Sequence, residues 1–380
     1  MSKKNILLHV HIFKNAGSSF DDALHHFFGK GFVDHRDDKD LKKGKMDYLL
    51  KYLDSNPKVE AFSSHSIHFL PEESDAYGFF TAYFLRHPID RIRSVYSFEK
   101  KQMPAKTQGS QKAKELNFNN FVLWYMEETS PQTIRNAQTI FLSGDGLGSH
   151  NIEQKFKTAL TNLKNTPLIG IVDRYDESMV VFEEYLKDYF PGIDLSYIRR
   201  NVTERNLEAS VEEKVKKVLS QLDAQSQQEV IEKNAFDTQL YTDANAQLDS
   251  KISKIENFQK KLDNFKERCT LKLINTKVNK KEYGGVLNLL LPLSQKGFHT
   301  IQLHLALANA HKELKQYPEA LKIFEETKKK FSNNPWPYFY EAEIYKLMGD
   351  TKKAKMLFKT HKNKFKDNIN IVKIFENILG

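Results

Sequence analysis

Residues 9 to 20, HVHIFKNAGSSF, constrain the fold of this chain more than any other stretch. The apolar run over residues 5–13 predicts a short buried strand, and apolar residues with helical spacing begin again at Phe20. A strand, a loop of small residues and a helix therefore follow one another directly. This order is typical of an α/β fold, in which such loops lie at the edge of a sheet.

The loop between this strand and this helix has the composition of an anion-binding site. Gly17 lets the backbone turn tightly, and Ser18 and Ser19 are expected to cap the helix. The N–H groups of the first helical turn carry the positive end of the helix dipole, and Lys14 adds a full charge. The expected ligand is a phosphate or sulfate group. The candidate binding residues are Lys14, Asn15, Ala16, Gly17, Ser18 and Ser19.

The loop is not a Walker A motif, because its lysine precedes the glycine and the GxxxxGK[ST] spacing is absent. An ordinary kinase or GTPase is therefore disfavoured. A strand-to-helix turn with a glycine and two serines also occurs in plain α/β domains. The loop alone leaves both interpretations open.

The composition predicts a globular chain of two or three domains. Of its 380 residues, 40% are apolar and 12% are aromatic, which is enough for more than one core. The single cysteine, Cys269, excludes an intrachain disulfide and fits a reducing compartment. The net charge of +9 suits polyanionic partners, but no zinc-finger, RRM or KH signature points to nucleic acid.

Membrane insertion and secretion are not predicted. No apolar run approaches the ~20 residues that a membrane-spanning helix needs. No secretory signal precedes the first predicted strand. We therefore expect a cytoplasmic protein without a membrane span.

Strands and helices alternate over the first two thirds of the chain. Further strands are predicted at residues 59–63, 78–85 and 167–172. Residues 210–248 have a helical pattern, and the highly charged residues 249–269 are predicted to be a helical connector. The alternation favours a parallel sheet covered by helices. The predicted fold class is α/β, with a P-loop-like parallel sheet flanked by helices over residues 1–248.

The last third of the chain repeats with a period of 34 residues. The repeated segments are YGGVLNLL at 283, YPEALKIF at 317 and TKKAKMLF at 351. Ala320 and Phe324 recur as Ala354 and Phe358, which is the tetratricopeptide pattern of small and aromatic contact residues. We predict an all-α TPR-like repeat domain over residues 270–380, with a concave surface for a protein partner. An irregular helical bundle is the alternative. The predicted repeats span residues 270–303, 304–337 and 338–367.

A second anion-binding motif follows the strand that ends at residue 85. The segment RHPIDRIRSVY places Arg86 at the carboxyl end of a strand and Ser94 about two turns into the next helix, which Pro88 begins. Ligands of open α/β sheets bind at this strand edge. A guanidinium and a hydroxyl together suit a second phosphate. For an isolated arginine, a solvated helix face is the alternative interpretation.

The two motifs together resemble those of the sulfotransferases that use 3'-phosphoadenosine 5'-phosphosulfate (PAPS), in particular the heparan and chondroitin branch. That branch has a loop like HIPKTAGTS, here HIFKNAGSS, and a second motif like RDPxxRxxSxY, here RHPIDRIRSVY. Phe13, Asn15 and His87 depart from the family pattern. NAQTIFLSG at 136 and FDTQLY at 236 are also similar, so the resemblance covers roughly residues 5–248.

The resemblance implies a role for each motif. Residues 14–19 would bind the 5'-phosphosulfate, and Arg86 and Ser94 would bind the 3'-phosphate. Lys14 would also stabilise the leaving oxygen. The family further implies PAPS as co-substrate, no metal, and a carbohydrate hydroxyl as acceptor.

A base must also remove the proton of the acceptor hydroxyl. The segment AFSSHSIHF, residues 61–69, resembles the HGHVxY stretch of the family, which implies His65 as the base. A neutral imidazole accepts a proton at physiological pH. His68 is the alternative, and Glu60 and Glu72 are weaker candidates because some relatives use a glutamate.

Three weaker signals accompany these motifs. His9 and His11 share one face of the first strand, but they lack an established metal-site spacing, so no metal site is predicted. The polar segment 100–115 is expected to be a mobile loop. Relatives often close the nucleotide site with a late basic loop, so the resemblance implies Arg200, Thr203 or Arg205 as a further phosphate contact.

Two other functions stay open on these grounds. A phosphotransferase or nucleotide kinase would use the same strand, loop and helix, and would prefer ATP with magnesium. A non-catalytic scaffold would bind a partner through the repeats and sense a nucleotide through the α/β domain. Two phosphate motifs together with a base favour the sulfotransferase interpretation.

Overall fold

The chain forms two compact units, residues 1–262 and residues 263–380. The boundary lies inside the segment 249–269, which the sequence predicts to be a connector. The computed structural model describes residues 3–36, 38–72, 74–145, 151–198, 209–295, 297–298 and 300–379.

The first unit is built on a five-stranded sheet. Its strands are β1 (Lys4–Val10), β2 (Phe32–Asp34), β3 (Ala61–Ser64), β4 (Tyr77–Leu85) and β5 (Leu168–Ile171). The strand order is β2-β3-β1-β4-β5, and every neighbouring pair is parallel. The prediction of an α/β fold with a parallel sheet is confirmed. The carboxyl ends of β3, β1 and β4 lie side by side, which sets the position of the candidate site.

Two details of the sheet differ from the sequence prediction. The first strand ends at Val10 and not at Phe13, because the chain turns at Ile12, whose N–H donates to the Val10 carbonyl (3.0 Å). Strand β2 was not predicted, since its three residues are too few to show a periodic pattern.

Helices cover both faces of this sheet, and the strands are accordingly apolar over most of their length. Ile6, Leu8, Phe62, Leu85 and Ile171 belong to one buried cluster. The helices of the first unit are α1 (Gly17–Phe28), α2 (Asp38–Ser55), α3 (Pro88–Lys101), α4 (Gln108–Glu115), α5 (Phe118–Met126), α6 (Ala137–Ser143), α7 (Ile152–Asn165), α8 (Tyr175–Leu186), α9 (Val211–Leu219), α10 (Ala224–Glu232) and α11 (Ala235–Ile252).

The prediction of a loop over residues 100–115 is wrong for the second half of that segment. Residues 108–115 form α4, which begins with a capping box. Thr107 Oγ1 accepts from the Ser110 N–H, and Ser110 Oγ accepts from the Thr107 N–H, both at 3.0 Å. Ala113 is fully buried, so this helix is anchored despite its polar composition.

All regular elements among the described residues of the second unit are helices. Helices α13, α15 and α17 begin 34 residues apart. Ala308, Ala320 and Phe324 are fully buried in one cluster, as the predicted repeat requires of its contact residues. The tetratricopeptide assignment itself stays a prediction. The helices are α12 (Phe258–Asn279), which begins in the first unit, α13 (Tyr283–Ser294), α14 (Ile301–Glu313), α15 (Tyr317–Lys330), α16 (Trp336–Leu347), α17 (Thr351–Lys364) and α18 (Ile369–Leu379).

Among the described residues, none of the helices combines the length and the apolar character that a bilayer crossing requires.

Candidate active site

The loop between β1 and α1 lies at the carboxyl edge of the sheet. Lys14 and Ala16 have φ angles of 64° and 58°, so the chain turns sharply before Gly17, the first residue of α1. Ala16 is the N-cap, and none of the described side chains caps this helix. The first turn contains no acidic residue. The positive end of the helix dipole therefore favours an anion at this position.

Ser18 and Ser19 do not cap α1, and that prediction is wrong. The left-handed turn at Ala16 starts the helix at Gly17, so both serines lie inside the first turn. Ser18 is exposed, whereas Ser19 is buried. Any contact of these residues with an anion must therefore come from within the helix.

Gly17 leaves the space that the ring of His11 occupies. A Cβ atom at position 17 would lie 2.3 Å from His11 Cδ2 and 2.4 Å from His11 Nε2. Carbon atoms do not approach one another so closely without a shift of one of them. The imidazole of His11 therefore packs directly on the N-terminus of α1.

We expect Gly17→Ala to destabilise the protein by about 1–3 kcal/mol, because the added methyl group overlaps this imidazole. Nucleotide binding should weaken as well, since the anion loop must shift. Gly284→Ala is the matched control, because a Cβ atom there meets open space within α13. Chemical denaturation of both variants checks the prediction. Equal stability of Gly17→Ala and the wild type would contradict it.

Arg86 joins the second motif to the loop. It follows β4 directly, and its Nη1 donates to the Lys14 carbonyl (3.2 Å). Its Nε donates to Asp90 Oδ2 at 2.6 Å, which fixes the guanidinium. Ser94 lies half-buried on α3, two turns from the start of that helix. The structure thus brings the two sequence motifs to one edge of the sheet.

The buried side chain of Arg91 supports the loop between β1 and α1. It is 3% exposed, and its Nε donates to the Phe13 carbonyl (3.0 Å) and to Asn15 Oδ1 (3.1 Å). Burial lowers the pKa of Arg91 to about 10, which leaves it charged at neutral pH. Sequence alone does not distinguish this arginine from Arg86 and Arg93, because only the fold shows that it is buried.

Lys14 lies in a field of positive charge. Burial lowers the pKa of its amine, and the charges of Arg86, Arg91 and Lys101 lower it further. Its Nζ lies 4.7 Å from the centre of the Phe98 ring, which is a cation–π contact. A cluster of like charges of this kind is stabilised when an anion binds.

Gln138 connects both motifs through one side chain. Its Oε1 accepts from Asn15 Nδ2 (2.7 Å) and from the Arg86 N–H (2.8 Å), and its Nε2 donates to the Arg86 carbonyl (2.9 Å). Asn15 Nδ2 also donates to the Phe84 carbonyl (2.7 Å). The side chain of Asn15, predicted to contact the ligand, is therefore committed to shaping the loop.

The carboxylate of Asp237 accepts hydrogen bonds from the first turn of α6, which carries Gln138. Its Oδ1 accepts from the Thr139 N–H (2.7 Å) and its Oδ2 from the Gln138 N–H (3.0 Å). Burial raises the pKa of Asp237, and these hydrogen bonds oppose the rise. Gln138 lies in NAQTIFLSG and Asp237 in FDTQLY, the two further segments that resemble the family. Both segments therefore position the site. The two residues are about 100 positions apart in the chain, so the sequence pattern does not show that they are in contact.

We expect Gln138→Leu to lower the free energy of unfolding by roughly 2–4 kcal/mol, because the partly buried N–H and carbonyl of Arg86 lose the fully buried side chain that pairs with them. Gln239→Leu, at an exposed glutamine of α11, should change it by less than about 0.5 kcal/mol. Denaturant titration of both variants measures the difference. A loss of similar size in both would show that the Gln138 contacts do not stabilise the fold.

His65 follows β3 at the same edge of the sheet. Its Nδ1 lies 2.6 Å from the carbonyl oxygen of His11. Because a carbonyl only accepts, Nδ1 carries the proton and Nε2 is left as a proton acceptor. Burial lowers the pKa of His65 to about 4, with a further contribution from His11. His65 is therefore neutral at physiological pH, as a general base must be.

The buried carboxylate of Asp21 contacts His11 and also His9. Asp21 Oδ1 is 2.8 Å from His9 Nδ1, and Asp21 Oδ2 is 2.9 Å from His11 Nδ1. Burial by itself would raise the pKa of Asp21, but the two histidines hold it well below its usual range. The ring of His11 lies 4.0 Å from that of His65, centre to centre. The sequence does not reveal Asp21, because its role depends on α1 lying over β1.

This cluster also has the spacing of a metal site. Among the described residues, His9, His11 and Asp21 form the group whose ligand atoms all lie within 4.8 Å of one another. Each carboxylate oxygen of Asp21 already faces one imidazole nitrogen. These contacts hold the three side chains together, and the group also offers one ligand atom from each residue to a metal ion.

The other candidate bases are less well placed. The ring of His68 packs against that of Phe141, with centres 4.4 Å apart. Glu60 is exposed and precedes β3, so it lies at the amino edge of the sheet, opposite the loop. Glu72 is exposed. The candidates Arg200, Thr203 and Arg205 lie outside the described residues.

The chain is similar in sequence to known proteins. The sequence model of the group described as "Sulfotransferase family" matches residues 1–242. An uncharacterized protein of Archaeoglobus fulgidus is 30% identical over 245 residues, which cover 62% of this chain and 94% of that protein. No solved structure gives a significant match. The match to residues 1–242 extends over more than half of the chain and includes both anion motifs and His65, so the chain belongs to the sulfotransferase family.

Proposed function

We propose that this protein transfers the sulfuryl group of PAPS to a hydroxyl group of a carbohydrate. Family membership supports sulfuryl transfer in general. The observation that carries the proposal further is the hydrogen bond from His65 to the carbonyl of His11 (2.6 Å), which links a proton acceptor to the start of the anion loop.

In this proposal the donor binds through its two charged ends. Residues 14–19 and the N-terminus of α1 hold the 5'-phosphosulfate. Arg86 and Ser94 hold the 3'-phosphate. The hydrogen bond from Arg86 to the Lys14 carbonyl supports this assignment, because it joins the residue proposed for the 3'-phosphate directly to the loop proposed for the 5'-phosphosulfate.

A cavity of about 800 Å³ begins at His87, the residue after Arg86, and is suited to the nucleoside. Tyr241 lines it, with its ring 5.3 Å from that of His87, and offers an aromatic surface for a base. Asp173 and Glu212 are balanced by Arg174 and Lys216 along its wall, so the cavity favours an uncharged group over another phosphate. Its volume is within the usual range for small-molecule sites.

The chemistry then needs two groups of this chain. Nε2 of His65 accepts the proton of the acceptor hydroxyl while the hydroxyl oxygen forms its bond to sulfur. The bond between sulfur and the bridging oxygen breaks, and the charge that develops on that oxygen is stabilised by the Lys14 ammonium group. The products are the sulfate ester, 3'-phosphoadenosine 5'-phosphate, and a proton on His65 that passes to solvent.

Two measurements test this proposal. Calorimetry with 3'-phosphoadenosine 5'-phosphate should show binding that is tighter than that of ATP with magnesium. Transfer of labelled sulfate from PAPS should then be detectable on at least one member of a panel of glycans. A wild-type protein that binds no 3'-phosphoadenosine 5'-phosphate would overturn the proposal, and preference for ATP with magnesium would favour a phosphotransferase.

A further inference from the structure

The net positive charge of this protein comes from one of its two units. Residues 263–380 contain 22 lysine and arginine residues and 12 aspartate and glutamate residues, a net charge of +10. Residues 1–262 contain 36 and 37 of these residues, a net charge of −1. The net charge of +9 therefore gives no support for an anionic acceptor at the catalytic unit, and points to the helical unit instead.

Within the helical unit, the charge concentrates on α17 and the residues just after it. Residues 351–366 contain seven lysines and no acidic residue. Four of them, at positions 352, 355, 359 and 362, recur at intervals of three and four residues and share one face of the helix, and Lys366 lies two residues beyond its end. We call this set the lysine row. It consists of Lys352, Lys355, Lys359, Lys362 and Lys366, all exposed.

The lysine row is largely without neutralising partners. Lys362 pairs with Glu376 at 2.5 Å. Among the described residues, no carboxylate forms an ion pair with the other four. Like charges at this spacing destabilise a helix unless an anion compensates them. From Lys352 to Lys362 the row extends over about 15 Å at the rise of an α-helix, with one charge every ~5 Å.

We propose that the lysine row binds a sulfated polysaccharide, and that the helical unit thereby retains the chain that the catalytic unit modifies. The proposal rests on the proposed function, since sulfuryl transfer to a carbohydrate adds a negative charge to the product at each turnover. A linear polyanion with charges along its length matches a straight row of ammonium groups.

Other polyanions fit this surface less well. Proteins that bind single-stranded nucleic acid stack the bases on aromatic side chains. In the described part of the helical unit, the large apolar side chains that are exposed are aliphatic ones or methionine, such as Leu347 and Met356. The apolar side of α17 packs inward through Ala354 and Phe358, so it is not free to enter a membrane as the helix of a surface-bound protein does.

Charge neutralisation in the full-length protein tests the proposal. One variant replaces the five lysines of the row with glutamine. The matched control replaces five other exposed lysines of the helical unit with glutamine. The control positions are Lys266, Lys280, Lys281, Lys315 and Lys322. Both variants carry the same net charge, so only the position of the removed charges differs.

Binding to dextran sulfate is measured at several salt concentrations, with uncharged dextran as the reference. We expect the row variant to bind roughly tenfold or more weakly at low salt, with a shallower salt dependence. The control variant should lose much less. Binding of 3'-phosphoadenosine 5'-phosphate should be unchanged in both, because none of these lysines belongs to the active site. Neither variant should unfold at a markedly lower temperature than the wild type, because removing like charges at this spacing relieves repulsion within the helix.

Equal losses in the two variants would overturn the proposal, because they would show that binding depends on the net charge of the helical unit and not on the lysine row. Tighter binding of a single-stranded RNA or of phosphatidylserine vesicles than of dextran sulfate would overturn the assignment of a polysaccharide. Failure of the wild type to bind 3'-phosphoadenosine 5'-phosphate is a separate result. It would remove the proposed function while the row-dependent binding of dextran sulfate stayed measurable.

Discussion

His65→Ala is expected to lower the rate of sulfuryl transfer by about 100- to 10,000-fold, the usual contribution of a general base. The affinity for 3'-phosphoadenosine 5'-phosphate should change little, because the anion contacts proposed for residues 14–19, Arg86 and Ser94 stay in place. Single-turnover transfer of labelled sulfate measures the rate, and calorimetry measures the affinity.

His68→Ala is the matched control for this variant. It removes the other histidine of the same segment, whose ring packs against Phe141. Its rate should stay within a fewfold of the wild type. Near wild-type turnover of His65→Ala would reject His65 as the base, and loss of turnover in His68→Ala alone would assign the role to that residue.

The pH dependence gives a second check on His65. Burial lowers its pKa from 6.5 to about 4, so the neutral base is present over most of the accessible pH range. The rate should therefore fall on the acid side with an apparent pKa nearer 4 than 6.5. Because the folded state disfavours the charged imidazole, His65 also lowers stability as the pH falls from 6.5 towards 4. His65→Ala should lose this part of the acid sensitivity.

Lys14→Met is expected to lower turnover by about 100- to 1,000-fold, in the range found when a donor to a developing oxyanion is removed. Methionine keeps an unbranched side chain against Phe98 and removes the charge. Nucleotide affinity should fall much less than turnover, because the N-terminus of α1 and Arg86 still attract the anion. The comparison of kcat with the calorimetric Kd measures the two effects separately.

Lys101→Met is the control for the loss of a nearby positive charge. Lys101 contributes to the field at Lys14, yet it is exposed at the end of α3. This variant should show a small loss of affinity and nearly normal turnover. If Lys14→Met lost affinity and turnover by the same factor, Lys14 would have only a binding role.

The sequence predicted the parts of the site that lie in continuous segments. The loop at residues 14–19 and the Arg86 segment were identified because strand, turn and helix follow one another along the chain. Parallel strands then carry both to one sheet edge, as expected for an α/β fold. His65 could be proposed for the same reason, since it directly follows a predicted strand.

The residues that hold these parts together were not predicted. Gln138, Asp21 and Arg91 act through partners that are distant in sequence or through burial, and neither shows in a single sequence without its fold. The same limit explains the error at Ser18 and Ser19. Capping depends on where the helix begins, and the left-handed conformation of Ala16 sets that position.

The Gln138 side chain has a thermodynamic consequence for ligand binding. One amide group contacts the loop through Asn15 and the second motif through Arg86, so a shift of either segment changes the hydrogen bonds of the other. Occupancy at the two phosphate positions should accordingly be cooperative. A donor fragment with only the 5' group and one with only the 3' group should show non-additive affinities. This coupling energy should become smaller in Gln138→Leu, where the contact of Arg86 with the Lys14 carbonyl still joins the two motifs.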